Sequence, residues 1–404
     1  MSVLLVTKWK GKRLACLTDD RNLIEAAFAG PEDAVAAGDI IVGKAANVVH
    51  NIDAVFIQLA PGVTGFLPYA EIPQAIFTRR SNPEQVTSGD ELLVQAAKEP
   101  TALKSARLTT RLSLSDDCFV ITHGNDKRGV SSKIRGAAER ERLKRFLASV
   151  TGLPEGTGLI VRTNAAGCSE ADLSEKYERL LGQYRQMLQR GACLSCYCKA
   201  HSALPRDLEF VRDSVSPAVS EVITDLPELA LELKSLVPEQ IPIRVYSDPS
   251  IPLSVLYGLE GKLSRAMARI VNLPSGAFLV IDRTEALTVI DVNSGHSSGL
   301  QKNASRMFFR VNEEAGLEIL RLIRLRNLSG MILVDFINME QPEDVEHLLA
   351  FLREHAAEDP KRTEIVDMTP LGLVEITRRR RYGTLDDQIR QLQETAPDAP
   401  KSSS

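Results

Sequence analysis

Residue types that bind divalent metal ions stand at the ends of two apolar segments. In the segment 289–293, the strand period of two places Asp291 and Asn293 on one face and turns their apolar neighbours the other way. Asp335 ends a second apolar segment, where an ionised carboxylate needs a partner or a metal. Two carboxylates at neighbouring strand ends could hold one Mg²⁺, which prefers oxygen ligands. Strand-end caps or salt-bridge partners are the alternative.

An arginine and a threonine stand side by side after another apolar segment. Arg162 and Thr163 precede the small-residue loop Asn164-Ala165-Ala166-Gly167. A guanidinium fork beside a hydroxyl suits a phosphate monoester, through charge-assisted hydrogen bonds. A surface arginine next to a capping threonine is the alternative.

Aromatic and basic residues suggest contacts with nucleic acid. Phe56 and Phe66 lie on or beside short β-rich segments, where rings either stack on single-stranded bases or belong to the core. Basic clusters occur at Lys8 to Arg13, at Lys133 and Arg135, at Arg324 and Arg326, and at Arg378-Arg379-Arg380-Arg381. The four-arginine run is typical either of phosphate contacts or of a solvated helix face.

Four potential zinc ligands occur within one short segment, at Cys193, Cys196, Cys198 and His201. Their spacing does not match the paired C-x₂-C modules. The segment therefore predicts either a structural zinc site or free thiols in a loop.

The elements that must position these residues begin with a series of short strands. A hairpin is predicted within residues 1–20, and β-rich segments then follow at 40–44, 54–59, 65–68, 91–96 and 106–110. Short strands separated by Gly, Pro and Asn/Asp turns fit a small barrel of the OB type.

The rest of the chain predicts helices and strands in alternation. The first α/β unit contains strand 118–123, a polar loop over 124–129, helix 137–150, strand 158–163 and helix 169–190 with Ser169 as N-cap. A helix over 208–236 and a strand over 243–246 come next. An α/β layer follows, with strands 277–281 and 287–293, helix 312–326, strand 331–335, helix 344–357 and strand 363–366. Residues 396–404 predict a frayed tail.

Composition excludes several protein classes. The chain has 404 residues, 44% apolar and 25% charged, which excludes disorder throughout, a collagen-like fibre and a disulfide miniprotein. The 49 basic and 53 acidic side chains give a net charge of -4, so a nucleic-acid partner must be inferred from local clusters. Six cysteines and no apolar run long enough for a membrane span predict a cytoplasmic protein with reduced thiols.

Taken together, many segments resemble the catalytic half of the ribonuclease E/G family of bacterial endoribonucleases, over about residues 35 to 382. The matching segments include Gly65-Phe66-Leu67-Pro68, Ala106-Arg107-Leu108-Thr109-Thr110, Leu153-Pro154-Glu155-Gly156-Thr157-Gly158, Asp282-Arg283-Thr284-Glu285-Ala286-Leu287, Asp291-Val292-Asn293-Ser294-Gly295, Val334-Asp335-Phe336-Ile337 and Leu371-Gly372-Leu373-Val374-Glu375. So many in one order make chance similarity very improbable.

The resemblance implies an α+β multidomain fold. Residues 1–36 and 203–266 would form a ribonuclease-H-like scaffold in two parts, 37–114 an inserted OB (S1-like) RNA-binding barrel, 115–202 a 5′-sensor region, 267–389 a deoxyribonuclease-I-like α/β catalytic domain, and 390–404 a flexible tail.

The resemblance also implies an activity and its site residues. The expected protein is a Mg²⁺-dependent endoribonuclease, with Mn²⁺ as a substitute, that cleaves single-stranded RNA. Its products would carry 5′-phosphate and 3′-hydroxyl ends, and a 5′-monophosphate on the substrate would stimulate cleavage. The expected roles are mRNA decay and the processing of rRNA or tRNA precursors. The family's catalytic residues correspond to Asp291, Asp335 and Asn293, with the two aspartates as metal ligands. Its 5′-phosphate site corresponds to Arg162 and Thr163. Its RNA-binding residues correspond to Phe56, Phe66, Lys104 and Lys133.

Several positions depart from the family pattern. The C-P-x-C segment that lets two family subunits share one zinc is absent, so a homo-oligomer would lack that link. Asp116 and Asp117 stand where the family usually has a small turn, and they would repel a 5′-phosphate. Ser132 replaces a frequent arginine beside Lys133, so end sensing is expected to be weaker. Asn338 replaces a second acidic residue after Asp335, which leaves the main pair of metal ligands intact.

A non-catalytic RNA-binding protein that retains the barrel and scaffold is the alternative function. The presence of Asp291, Asn293 and Asp335 argues against it, because an acidic pair without metal repels RNA phosphate.

Overall fold

The computed structural model describes residues 2–19, 22–30, 35–99, 105–134, 136–216, 218–295, 304–339, 341–379 and 382–394. The chain divides into two compact units. The first combines Met1–Pro31 with Pro217–Ser404, and the second is Glu32–Ser216.

The strands alternate between the units along the chain. The first unit begins with β1 (Ser2–Trp9), β2 (Lys12–Thr18) and β3 (Leu23–Phe28). The second unit contains β4 (Ile40–Val49), β5 (Ala54–Ala60), β6 (Val63–Pro68), β7 (Phe77–Arg79), β8 (Glu91–Lys98), β9 (Ala106–Thr109), β10 (Ser113–Ser115), β11 (Phe119–His123), β12 (Asn125–Val130), β13 (Thr157–Val161) and β14 (Lys199–His201). The first unit resumes with β15 (Val219–Thr224), β16 (Ile243–Val245), β17 (Ile270–Asn272), β18 (Phe278–Arg283), β19 (Leu287–Asn293), β20 (Gly330–Asp335), β21 (Thr363–Met368) and β22 (Leu373–Arg378).

The α-helices follow the same division. The second unit contains α1 (Ala137–Ser149), α2 (Glu170–Cys193) and α3 (Arg206–Ser214). The first unit contains α4 (Ala230–Leu236), α5 (Leu253–Leu256), α6 (Leu259–Met267), α7 (Ala304–Leu325), α8 (Pro342–Ala356) and α9 (Leu385–Glu394).

One sheet of the first unit combines strands from both of the sequence segments that make up that unit. Its order is β16-β15-β1-β2-β3, with the predicted hairpin as β1 and β2 and with β15 parallel to β1. The helix predicted over 208–236 is wrong in its middle, because Val219–Thr224 is a strand. Pairing with the buried strand β1 overrides the local helical spacing there.

The other sheet of the first unit carries helices on one face. Its order is β17-β18-β19-β20-β22-β21, and β19 and β20 are parallel strands. Alternate residues of β19 are buried, and the core includes Ile290 and Val334 together with Ile319 of α7 and Leu352 of α8. The opposite face of the sheet, which we call the open face, carries the exposed residues of the same strands.

The second unit contains a closed barrel, as predicted. Strands β4-β5-β6-β9-β8 pair in that order, and β8 returns to pair with β4. The packing at Gly65 is close, since a Cβ there would lie 2.6 Å from the side chain of Leu108. The chain is therefore a mixed α+β protein with an OB-like barrel.

A four-stranded sheet, β10-β11-β13-β12, completes the second unit and packs its core against α1 and α2. Ser169 caps α2 as predicted, in a capping box with Asp172. The polar loop predicted over 124–129 is wrong, because β12 occupies Asn125–Val130 beside β13. Glycine at 158 permits the approach: a Cβ there would lie 2.4 Å from the carbonyl oxygen of Asn125.

The last helix, α9, extends to Glu394, so residues 390–394 are helical rather than the start of the expected flexible tail. Residues 395–404 lie outside the described part of the chain. In the ranges that are described, no helix is both long enough and apolar enough to span a bilayer.

Candidate functional site

Asp291 and Asp335 are brought together by the register of two parallel strands. They are Cα partners in the β19–β20 pairing. Both are exposed on the open face, whereas Ile290 and Val334, the residues before them, are buried. The alternation predicted from the sequence is therefore observed, and it places two carboxylates side by side.

Asn293 completes this group from the same strand as Asp291. Its Nδ2 donates a hydrogen bond to Asp291 Oδ2 at 2.7 Å. The amide thereby orients one carboxylate and leaves its own Oδ1 as a further oxygen on the open face.

Asn312 on α7 holds the chain that follows Asp335. Its Nδ2 donates to the carbonyl oxygen of Ile337 at 2.8 Å, and the amide of Ile337 donates to its Oδ1 at 3.0 Å. Sequence reasoning missed this residue, although a fully buried asparagine on the apolar face of a helix is a signal of such a structural role.

These side chains fit a hard divalent cation. Within the residues that the structure describes, neither Asp291 nor Asp335 has an ion-pair partner. No group of three or more His, Cys, Asp or Glu side chains among those residues could hold a metal ion, so the site offers only these two carboxylates. Two carboxylates and one amide match Mg²⁺, which keeps several waters and is often held by one or two carboxylates plus a substrate phosphate.

Arg162 of the second unit is held by two acceptors. Its Nη1 donates to the carbonyl oxygen of Asp116 at 2.5 Å, and its Nη2 donates to Asp213 Oδ1 at 2.8 Å. Thr163 follows it, exposed, at the start of a short 3₁₀ helix over Thr163–Ala165. These two contacts orient the Arg162 side chain. Because a guanidinium has five N–H donors, Arg162 still has donors for a ligand.

Asp213 is the residue beside Arg162 that sequence reasoning missed. It accepts hydrogen bonds from Arg162 and also from Arg212 Nε at 3.0 Å, and Arg212 in turn pairs with Glu209 at 3.2 Å. Burial raises the pKa of the Asp213 carboxyl, but the charges and hydrogen bonds of Arg212 and Arg162 outweigh it and lower the pKa overall. Arg162 and Arg212 thus face the carboxylates of Asp213 and Glu209.

The two aspartates of the acidic turn that was predicted to repel a phosphate are engaged in local hydrogen bonds and an ion pair. Asp116 Oδ1 accepts from the amides of Cys118 and Phe119 at 2.8 and 2.7 Å, which closes the turn between β10 and β11. Burial raises the pKa of the Asp116 carboxyl. Asp117 is paired with Lys176 on α2. The carboxylate that meets Arg162 is therefore Asp213, from a part of the sequence that carried no signal.

The barrel presents Phe56 and Phe66 as neighbours. They are register partners on β5 and β6, with ring centroids 6.2 Å apart in an edge-to-face arrangement. Both rings are partly exposed, while Val55 and Leu67 beside them are fully buried. Neither ring is therefore a fully buried core side chain, although each is partly covered. Lys104 lies outside the described residues, and Lys133 is exposed in the segment between β12 and α1.

The side chains of the four predicted zinc ligands are not gathered into one group in this structure. Cys193 and Cys198 are exposed, while Cys196 packs partly buried against the apolar core. All four residues are described, and no group of three metal-binding side chains is found among described residues. Tyr197 adopts a left-handed φ of 73° between two of the cysteines, which turns the chain into β14. Cys193, Cys196 and Cys198 form no disulfide in this structure.

The first two arginines of the four-arginine run, which are the two that the structure describes, do not lie on a helix. Arg378 ends β22 and is buried, where its Nε donates to Asp359 Oδ2 at 2.6 Å and its Nη1 to Asn327 Oδ1 at 2.9 Å. Arg379 is exposed, and the last two arginines of the run lie outside the described residues. The first arginine is therefore structural.

Comparison with known proteins gives consistent matches. Residues 113–381 match the family model described as Ribonuclease E/G family. The chain is 33% identical to Ribonuclease G of Salmonella typhimurium over 358 residues, which is 85% of this chain and 72% of that protein. It is 32% identical to Ribonuclease G of Haemophilus influenzae over 366 residues, 86% of this chain and 73% of that one. It is also 33% identical to Ribonuclease E of Nostoc sp. over 358 residues, 85% of this chain and 51% of the relative.

Proposed function

The chain belongs to the ribonuclease E/G family, and from this premise we propose that it is an endoribonuclease that cleaves single-stranded RNA with a divalent metal ion, Mg²⁺ or in its place Mn²⁺. The observation that carries the proposal is the register pairing of Asp291 with Asp335 on the open face of the six-stranded sheet. An exposed acidic pair that lacks a cationic partner among the described residues has no evident structural use, and it would repel RNA phosphate unless a cation were bound.

The chain's own residues supply positioning. Asp291 and Asp335 would hold the cation. The hydrogen bond from Asn293 orients the Asp291 carboxylate for this role. When bound, the ion would polarise the phosphodiester and lower the pKa of a water for in-line attack. Asn312 keeps the segment after Asp335 in place without touching the reacting groups.

Substrate binding is assigned to the barrel and to the side chains at Arg162 and Thr163. Phe56 and Phe66 would stack on bases of a single strand, which requires no base identity. Arg162 and Thr163 would contact a 5′-monophosphate, but Asp213 offsets the charge that attracts it. The preference for a 5′-monophosphate should therefore be real but modest. Lys133, and Lys104 by resemblance, would add backbone contacts.

The domain roles follow the same proposal. The sheet of residues 2–28 and 219–245 would be the ribonuclease-H-like scaffold, the α/β sheet that carries the aspartates the deoxyribonuclease-I-like domain, and the sheet around Arg162 the 5′ sensor. Products with 5′-phosphate and 3′-hydroxyl ends, and roles in mRNA decay and rRNA or tRNA precursor processing, belong to this proposal as well.

A non-catalytic RNA-binding protein is the competing function, and a cleavage assay separates the two. A single-stranded RNA labelled at its 5′ end is incubated with the chain in Mg²⁺ and in EDTA. Internal cleavage in Mg²⁺ that EDTA abolishes supports the proposal. Binding of the RNA with no cleavage in either buffer would favour the alternative.

A further inference from the structure

A row of register partners crosses the outside of the barrel and continues beyond the two phenylalanines. Phe66 on β6 is paired with Arg107 on the parallel strand β9, and Arg107 is paired with Lys98 on β8. Phe56, Phe66, Arg107 and Lys98 are therefore consecutive members of one row that runs across the strands. Neighbouring strands are about 4.8 Å apart, so the row spans roughly 14 Å.

The side chains of this row point away from the barrel core. Ala106 and Leu108, on either side of Arg107, are buried, and Arg107 itself is exposed. Lys98 is also exposed, at the end of β8, where an irregularity between Ala96 and Lys98 shifts the register. Two aromatic rings are thus followed by two cations.

No carboxylate in the described part of the chain pairs with the Arg107 guanidinium. Glu71, the acidic residue bonded to the same strand, accepts hydrogen bonds from Thr109 and Thr110 instead. Glu99, next to Lys98, is paired with Arg206 at 2.9 Å. The two cations therefore keep their charge available, although the whole chain carries a net charge of -4.

We propose that Arg107, with Lys98 beside it, binds the backbone phosphates of the RNA strand whose bases stack on Phe56 and Phe66, so that the strand runs across the barrel along this row. The assignment rests on the proposed RNA-binding function of the barrel and adds residues and a path to it. A base on Phe66 brings the adjoining phosphate to the next strand position, where the guanidinium stands, and a guanidinium forks onto phosphate oxygens.

The proposal predicts a contact that is sensitive to salt and indifferent to sequence. Each phosphate neutralised on a single strand contributes about 0.7 to the slope of log Kobs against log salt concentration. Loss of Arg107 should therefore lower that slope by about 0.7 and weaken binding equally for different base compositions.

The experiment measures binding of fluorescent oligouridine and oligoadenosine to the full chain in EDTA, over a series of salt concentrations. Arg107→Gln is compared with Arg145→Gln, an exposed arginine on α1 that carries the same charge change. Phe66→Ala reports on the stacking contact, and thermal denaturation checks that each variant is folded. We expect Arg107→Gln to weaken binding roughly 3- to 10-fold at low salt, with the smaller slope, and Arg145→Gln to leave both unchanged.

The outcomes separate this proposal from the one on which it rests. If Arg107→Gln and wild type bind with the same affinity and slope while Phe66→Ala binds weakly, the barrel binds RNA but Arg107 is not part of the path. If wild type itself fails to bind either oligonucleotide, the RNA-binding function of the barrel is wrong. Equal losses in Arg107→Gln and Arg145→Gln would mean a general charge effect, which also overturns the assignment.

Discussion

Asp291 and Asp335 are register partners in adjacent parallel strands, although the whole of α7 separates them in sequence. Parallel strands need a crossover connection, and the helix that supplies it packs on the buried face of the same sheet. The distance between the carboxylates is therefore set by strand pairing and core packing rather than by a loop. Core substitutions that shift β19 against β20 should reduce activity without changing a site residue.

The group of charged side chains around Arg162 yields a prediction about 5′-end preference. Asp213→Asn removes the carboxylate charge that faces Arg162 and Arg212 but keeps a hydrogen-bond acceptor. The ratio of cleavage rates for 5′-monophosphate RNA over 5′-hydroxyl RNA should rise roughly 3- to 10-fold, because a repulsive charge near a doubly charged phosphate is removed. Arg162→Ala should bring the ratio to one. Asp126→Asn, at an exposed position on β12, serves as the control. An unchanged or smaller ratio in Asp213→Asn would show that this carboxylate does not oppose the phosphate.

The barrel rings yield a prediction about affinity. Phe56→Ala and Phe66→Ala should each weaken binding of a single-stranded oligonucleotide by roughly 1–3 kcal/mol, because a base loses its stacking partner. Both rings are partly exposed, so the loss of folding stability should be smaller than for a fully buried phenylalanine. Fluorescence anisotropy and urea denaturation measure the two effects. A large stability loss with unchanged affinity would instead identify the rings as core residues.

The buried Arg378–Asp359 pair yields a prediction about pH and stability. Burial raises the pKa of Asp359, but hydrogen bonds and charge from Arg378 outweigh it and lower the pKa from 3.8 to about 2. The stabilisation is present in full above about pH 4 and is lost as the pH falls from there towards 2. The lowered pKa corresponds to ~2 kcal/mol, about half of which is lost by pH 3.

The test compares urea denaturation of wild type and Asp359→Asn at pH 7 and pH 3. At pH 7 the variant should be less stable by roughly 3–5 kcal/mol, since Arg378 is left buried without its partner. The difference should shrink at pH 3. Asp367→Asn, an exposed position on β21, should match wild type at both pH values. A stability difference that did not depend on pH would contradict the linkage.

The cysteines yield a prediction about reactivity. Cys193 and Cys198 are exposed and should react with a thiol reagent within the native protein, with no chelator present. Cys16 should not react, because burial raises the pKa of its thiol to about 12. Cys118 is also buried with a raised pKa. In the contrary outcome, Cys193 and Cys198 would be protected from the reagent, and a chelator would remove the protection and release one equivalent of zinc. That result would show that these residues bind zinc.

The strand containing Asp291 could be predicted because its alternation is local: buried and exposed residues follow the pleat whatever lies around them. Its pairing with the strand of Asp335 was only suggested by the apolar run and by the family resemblance, since register is a property of two segments. The barrel strands were also local signals, each bounded by turn residues.

Features that depend on distant partners were missed. Val219–Thr224 follows a helical pattern in sequence but pairs with β1. Asp213 carries no pattern of its own, and its role arises because α3 places it beside Arg162. Arg378 was predicted to be on the surface from its neighbours in sequence, but burial beside Asp359 decides its role.

The most direct test of the central claim is cleavage by aspartate variants in Mg²⁺. Rates for a single-stranded RNA are compared among wild type, Asp291→Asn, Asp335→Asn and Asp282→Asn, the last an exposed aspartate on the neighbouring strand β18 that pairs with Arg269. RNA binding in EDTA is measured in parallel as a check of folding. We predict that Asp291→Asn and Asp335→Asn bind RNA but cleave it at least ~100-fold more slowly, while Asp282→Asn cleaves like wild type. Full cleavage by Asp291→Asn and Asp335→Asn would contradict the assignment of the active site.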